Sequence, residues 1–233
     1  MTAPAAISWM RRCFRVAFLL VSLPVCGATE SDWNSPTLLH KAEMLLGPSG
    51  AGRQRVLAWQ ALLETSPDVG ERQQLERVNR FFNRQLHYRE DLDLWHQPDY
   101  WATPLESLWQ GAGDCEDYAI AKYFTLRRLG VPAEQLLITY VKALRLNRAH
   151  IVLTWYARPG AEPLVLDSLD DDIRPASQRP DLLPVYAFNG EGVWLPGEHG
   201  HVHSGDNRRL ARWRGVLDKM RSEGLFDDPD LTP

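Results

Sequence analysis

The sequence predicts an α+β domain, and three observations carry that expectation. Apolar residues recur at helical spacing through the first half, short β-branched and aromatic runs fill the second, and turn residues separate those runs as they do in an antiparallel sheet. Of the 233 residues, the first 28 read as a leader. Arg11, Arg12 and Arg15 form its basic region, Val16 to Val25 its apolar core, and Cys26-Gly27-Ala28 ends on a small residue suited to cleavage. The apolar run is shorter than the roughly 20 residues a membrane-spanning helix needs. An uncleaved anchor is one alternative. A lipid-attachment site at Leu23-Pro24-Val25-Cys26 is another, weakened by the proline and valine ahead of the cysteine. In each case residues 29–233 are exported, as one domain with a sizeable core.

The elements follow in order. Leu38 to Leu46 is a short helix closed by Gly47-Pro48, Arg53 to Glu64 a second, and Val69 to Leu86 a third with Leu75, Val78, Phe82 and Leu86 on one face. Asp91 to Ala102 reads as a loop. Thr103-Pro104-Leu105-Glu106 is a helix start, with a capping threonine, proline in the first turn and a glutamate that can reach back to the cap. Gly111-Ala112-Gly113 breaks this helix. Asp114 caps the next, which runs through Ala119, Ile120, Tyr123 and Phe124 to Leu129 and ends at Gly130 and Pro132. Strands are expected at Leu136 to Leu144, His150 to Ala157, Pro163 to Ser168 and Val185 to Phe188, with turns at Asn147 and Pro159-Gly160 that suggest an antiparallel meander. An amphipathic helix from about Asp206 to Met220 closes the chain, with Leu210, Trp213, Leu217 and Met220 on one face.

Loss of residues 1–28 removes three arginines and no acid, which takes the formal charge from −4 to −7. That balance counts against nucleic acid or anionic membrane as the main partner, since both reward basic patches. The same cut removes Cys13 and Cys26 and leaves Cys115 alone. An exported chain with one thiol has no internal disulfide, so packing must carry its stability, and the many tryptophans are suited to that.

Cys115 sits in Gly113-Asp114-Cys115-Glu116-Asp117-Tyr118-Ala119, at a helix start. Unpaired N–H groups and the helix dipole favour a thiolate there, and the glycines let backbone N–H groups approach a substrate as an oxyanion hole. His150 opens one predicted strand and Asp167 lies near the end of the next, so neighbouring antiparallel strands can bring the two together. Nucleophile, base and orienting acid is the catalytic reading. The bland reading is a small buried cysteine and a satisfied strand histidine, and for an arbitrary pair it is the commoner one.

Trp109-Gln110-Gly111-Ala112-Gly113-Asp114-Cys115-Glu116-Asp117-Tyr118-Ala119, Arg148-Ala149-His150-Ile151-Val152-Leu153 and Val165-Leu166-Asp167-Ser168 together resemble the bacterial transglutaminase-like cysteine proteinases, which include the periplasmic LapG-type proteases. The resemblance extends from about Trp33 to Trp194. It implies a papain-like, transglutaminase-type fold with catalytic Cys115, His150 and Asp167, in the periplasm. It also implies cleavage of a giant surface adhesin near its N-terminus, usually at a paired-alanine site, and hence biofilm dispersal. An inner-membrane cyclic-di-GMP receptor that sequesters the protease is the implied inhibitory partner. Acyl transfer to an amine, as in a transglutaminase or amidase, and a non-catalytic peptide-binding module of the same fold remain the alternatives.

The resemblance further implies calcium, and the residues permit it. Asp114, Glu116 and Asp117 offer hard oxygen ligands around the thiol, and a cation there would offset charges that otherwise oppose a thiolate. These acids equally suit a plain helix cap and dipole partners. Three side chains do not fill a calcium shell, so other oxygens must join them. Trp109 and Gly113 are the expected substrate-cleft residues. Asp170-Asp171-Asp172 reads as a charged turn, and His199, His201 and His203 as histidines on a polar connection rather than a metal tract.

Overall fold

The computed structural model describes residues 33, 36–66, 69–197, 200–205 and 211–225. The leader at 1–28, His199 and the expected start of the last helix at 206–210 lie outside the described residues. In chain order, helices α1 (Pro36–Leu46), α2 (Gly50–Thr65) and α3 (Glu71–Gln85) lead to strand β1 (His87–Tyr88) and the short α4 (Asp91–Leu94). Next come α5 (Pro104–Gln110), β2 (Ala112–Gly113) and α6 (Cys115–Arg128). Strands β3 (Leu136–Ala143), β4 (Arg148–Trp155), β5 (Leu164–Leu166), β6 (Arg174–Pro175), β7 (Leu182–Phe188), β8 (Val193–Gly197) and β9 (Gly200–Gly205) precede α7 (Ala211–Glu223). Helices first and a sheet second give the predicted α+β class.

The sheet runs in the order β6-β5-β4-β3-β7-β8-β9 with every neighbour antiparallel. A simple meander was expected. Instead β3 to β6 form one meander, and the chain then returns to pair β7 with the free edge of β3. That return carries the segment after β6 past the end of β5, where it matters for the site. The predicted histidine-bearing connection is also a strand, since β9 pairs with β8.

α6 is buried along most of its length, from Glu116 to Leu126, so it is an internal helix and not an amphipathic surface one. Ala119, Ile120, Tyr123, Phe124 and Leu126 join Leu136 and Ile138 of β3 and Ile151 and Leu153 of β4 in one apolar core. The alternate residues Val141, Val152 and Val165 form a smaller cluster with Ala176 and Leu182, as the two-residue period of a strand requires. Trp213 of α7 stacks on Phe124 at 5.3 Å and meets Tyr123 and Phe188 edge-on, which fastens the last helix to the core.

The expected helix start at Thr103 is a complete capping box: its hydroxyl accepts from Glu106 N–H at 3.1 Å and the Glu106 carboxylate accepts from Thr103 N–H at 2.8 Å. The far end is Gly111, whose left-handed φ of 72° forms the C-cap. A side chain there would meet the Arg55 guanidinium at 2.4 Å. Arg55 cannot withdraw freely, because it donates to the last carbonyls of α5, Leu108 and Trp109. The chain leaves Gly111 straight into β2, which pairs in parallel with β1 (His87 with Ala112, Tyr88 with Gly113). A glycine turn was expected here; a short strand pair fixes the segment before Cys115 instead.

Thr103 also donates to buried Glu223 of α7 at 2.7 Å, so one hydroxyl ties α5 to α7. Thr103→Ala removes the cap and strips Glu223 of that donor. Denaturant unfolding should show a loss of about 2 kcal/mol, the sum of a cap and a buried hydrogen bond. A change below about 0.5 kcal/mol would show that the tie carries no load.

Candidate active site

Cys115 is the first residue of α6, half-buried at the floor of a cleft of about 450 Å³. Trp101, Tyr140 and Tyr186 form aromatic wall, and His150 lines the same cleft. Strand β4 supplies His150 and passes the nucleophile's helix closely enough that the Ile151 N–H reaches the Cys115 sulfur. The cleft mouth carries paired charges: Arg148 with Glu90 at 3.2 Å, and Arg212 with Asp99.

His150 and Asp167 meet as the strand pairing predicted. β4 and β5 pair up to Leu153 and Leu166, and Asp167 follows immediately, so it lies diagonally from His150. His150 Nε2 and Asp167 Oδ1 are 2.7 Å apart and both side chains are fully buried. The other ring nitrogen, Nδ1, is buried with no hydrogen-bond partner. With Asp167 ionised, this bond puts the proton on Nε2 and leaves Nδ1 as a lone pair.

Asp167 has further partners that the sequence did not suggest. Arg179, from the segment that returns after β6, donates to Asp167 Oδ2 at 2.8 Å and to Asp181 at 3.0 Å, while Leu169 N–H donates to Oδ1. Burial alone pushes the carboxyl up, but the bonds from His150, Leu169 and Arg179 hold it well below the ordinary carboxylate range. Asp167 therefore stays ionised across neutral pH. Arg179 was hidden in sequence among polar turn residues, with no periodicity to mark it.

The acids around the thiol form a denser cluster than expected. Ligand oxygens of Asp91, Asp114 and Asp117 lie within 4.8 Å of one another, and so do those of Asp91, Asp99 and Glu116 and the set Asp114, Cys115 and Glu116. Asp91 and Asp99 come from the segment read as a plain loop. The parallel pairing of β1 with β2 brings the start of that segment beside Asp114. Asp117 accepts from Ala102 N–H at 2.7 Å and from Asp114 N–H at 3.3 Å, one on each oxygen. Asp91 and Asp114, only 5% and 7% exposed, each keep a buried Oδ1 with no partner.

Such a cluster opposes ionisation. Burial and then Glu116 push the Asp114 carboxyl up, and burial pushes Asp91 up to about 6. Burial, then Glu116 and Asp114, push the Cys115 thiol far up, and the thiol hydrogen bonds to Glu116 Oε2 at 3.1 Å. The protein alone thus holds Cys115 as a thiol, against the pull of the helix dipole. Apart from the Cys115 sulfur the facing donors are hard carboxylate oxygens, and two of them are buried orphans, so the carboxylates fit a calcium ion.

Trp109 and Gly113 are not cleft residues. Trp109 is 3% exposed, donates to Gly47 carbonyl at 2.9 Å, and lies against Gly52 of α2. Its six-residue distance from Cys115 spans the turn after α5, which points the indole into the helical layer. Gly113 is bare for a different reason: a Cβ there would meet the Asp117 carboxylate at 2.6 Å. The expected oxyanion donors are partly taken as well, since Gly111 N–H bonds Ser107 carbonyl and Asp114 N–H bonds Asp117. Asp170, Asp171 and Asp172 form a turn as expected; the turn is held by Asn79 and Asn83 of α3.

A family model described as bacterial transglutaminase-like cysteine proteinase (BTLCP) matches residues 60–182. Among solved structures, LapG of Legionella pneumophila is 43% identical and aligns at a TM-score of 0.67, covering 78% of this chain and 97% of that one. An EGTA-treated form of the same protein aligns at 0.69 over 78% and 97%, and a calcium-bound form at 0.67 over 78% and 98%, both at 43% identity. No curated protein matches the sequence. The chain belongs to the bacterial transglutaminase-like cysteine proteinases and is a cysteine protease.

Proposed function

We propose that this protein is a calcium-dependent periplasmic endopeptidase that cuts the N-terminal region of a large cell-surface adhesin, releasing it and promoting biofilm dispersal. Cys115 is its nucleophile, His150 its base and Asp167 the acid that orients the base. The carrying observation is the state of His150: Nε2 is committed to Asp167, Nδ1 is buried with no hydrogen-bond partner, and the residue lines the same cleft as Cys115. A merely structural histidine has no reason to leave a buried nitrogen unpaired.

The reaction follows from that arrangement. Nδ1 takes the Cys115 proton, and the sulfur attacks the scissile carbonyl carbon. The C–N bond breaks as Nδ1 returns the proton to the leaving amine, which leaves a thioester on Cys115. Nδ1 then removes a proton from water, the hydroxide attacks the thioester, and the thiol is restored as the acid departs. The Asp167 carboxylate keeps Nε2 protonated and stabilises each imidazolium. The aromatic walls at Trp101, Tyr140 and Tyr186 suit an extended peptide.

Asp114, Glu116 and Asp117, joined by Asp91 and Asp99, would hold calcium, and the forms recorded for the Legionella relative support that reading. Held by these residues, calcium would supply positive charge that offsets the carboxylates beside the thiol. Export rests on the leader pattern. The adhesin substrate and the sequestering inner-membrane cyclic-di-GMP receptor rest on the family resemblance.

Purified protein lacking residues 1–28, incubated with adhesin N-terminal fragments, should yield two peptides whose masses sum to substrate plus water. A cross-linked product would instead mean transfer, and no covalent change would mean a binding module. Cys115→Ala should abolish cleavage with an unchanged circular dichroism spectrum; wild-type rates from that variant would remove Cys115 as nucleophile. Asp167→Asn should lower kcat by about 10³- to 10⁴-fold, as loss of the correct tautomer does in a comparable triad. Chelation with EGTA should suppress cleavage reversibly and Glu116→Gln should raise the calcium needed to restore it. Full activity in chelator would overturn the calcium assignment and leave the thiol chemistry standing.

A further inference from the structure

α3 carries a row of side-chain donors that the reaction described above does not use. Arg72, Asn79 and Asn83 fall seven and then four residues apart, which keeps them on one face of the helix. All three donate to main-chain carbonyls of one segment, residues 167–173. Arg72 reaches the Ile173 carbonyl at 3.0 Å, and Asn79 reaches those of Asp170 and Asp171 at 3.2 and 3.1 Å. Asn83 reaches the Asp167 carbonyl at 2.9 Å, and the same amide nitrogen is 3.3 Å from the Asp170 carbonyl and 3.0 Å from Asp171 Oδ1. These partners are all acceptors, so both amides turn their nitrogens to the segment. Each Oδ1 is left buried and without a partner among the described residues.

The segment depends on such donors. The register of β4 with β5 ends at Leu153 and Leu166, and that of β5 with β6 begins at Val165 and Arg174, so residues 167–173 lie outside both. Among the described residues no turn bond between backbone groups closes the excursion. Two of its N–H groups turn to side chains of the segment itself, Leu169 to Asp167 Oδ1 and Asp172 to Asp170 Oδ1. Its carbonyls are answered from α3, which supplies the donors that a further strand would. Asp167 is the first residue past the register, and Asn83 holds its carbonyl. Asp167 Oδ1 sits 2.7 Å from His150 Nε2, with both side chains fully buried. Arg179 and the Leu169 N–H hold the carboxylate, but neither fixes the main chain from which it projects.

We propose that Asn83 is a positioning residue of the protease, which sets the hydrogen bond between Asp167 and His150 by holding the Asp167 carbonyl. The inference rests on the assignment of those two residues above. Asn83 lies outside the cleft and acts through Asp167 alone. Asn79 is the natural comparison, because it is 0% exposed, holds the same segment and makes no bond to Asp167. A row that only secures a loop gives the two asparagines equal weight in catalysis. A row that places the carboxylate gives the weight to Asn83.

Kinetics on an adhesin N-terminal fragment with calcium present, and nuclear magnetic resonance on Cys115→Ala protein, test this together. Asn83→Leu should lower kcat by about 10- to 100-fold and change KM by less than about threefold, the split expected when a reacting group is misplaced on the order of 1 Å. Asn79→Leu should lower the unfolding temperature at least as much, yet keep kcat within about threefold of wild type. Added to Asp167→Asn, Asn83→Leu should cost less than about threefold more, since the bond it sets is already lost. The resonance arm needs no substrate. The buried His150 ring N–H should give a slowly exchanging downfield proton signal in Cys115→Ala, moved upfield or broadened by Asn83→Leu and kept by Asn79→Leu. An unchanged kcat in Asn83→Leu, equal losses from the two asparagine variants, a full further loss on top of Asp167→Asn, or an unmoved proton signal would each overturn the proposal. If Asn83→Leu does not fold, Asn83→Ala is read in the same way. Failure of the underlying His150–Asp167 assignment appears separately, as wild-type cleavage by Asp167→Asn.

Discussion

Carboxylates crowded around a single thiol are the constraint on which the rest of the structure depends. Asp91, Asp114, Glu116 and Asp117 are all buried beside Cys115, and two of their oxygens have no partner. Like charges so placed cannot all ionise without a counter-charge. The protein supplies backbone N–H groups to Asp117 and Asp91, from Ala102 and Tyr100, and among the described residues its one ion pair to the cluster is that of Arg212 with Asp99. The fold therefore builds a strong nucleophile's position, the start of an internal helix, and then suppresses ionisation there.

The frame that holds the cluster is distributed across the chain. The β1–β2 pair seats the segment before Cys115, and Gly113 is bare so that Asp117 can close over it. From the other end, Lys219 of α7 donates to Trp101 carbonyl at 2.7 Å and Glu106 at 2.6 Å, and lies over the Tyr100 ring. The segment Tyr100 to Glu106 is thus clamped between the last helix and the acid cluster. Its Trp101 also forms cleft wall, so one short stretch links the C-terminal helix, the acid cluster and the cleft.

Much of this was legible in the sequence, and the parts that were not share a cause. Capping at Thr103, the helix from Cys115 and the strand position of His150 are local signals, and each appears where its motif places it, while Asp167 falls just past the end of β5. The parallel β1–β2 pair and the return of β7 to β3 are long-range pairings of short segments, which leave no periodic trace. Asp91, Asp99 and Arg179 reach the site only through them. Trp109 misled for the opposite reason: its distance from Cys115 matched a cleft position, but the left-handed cap at Gly111 turns the chain between them.

The central claim is that the acid cluster, not the helix start, decides whether Cys115 is a thiol or a thiolate. The most direct measurement is the rate of Cys115 alkylation by iodoacetamide across pH, with calcium and with EGTA, on protein lacking residues 1–28. The account predicts slow alkylation in EGTA that rises only at alkaline pH, and with calcium a faster reaction whose onset moves to lower pH. Identical pH–rate curves in the two conditions would contradict it.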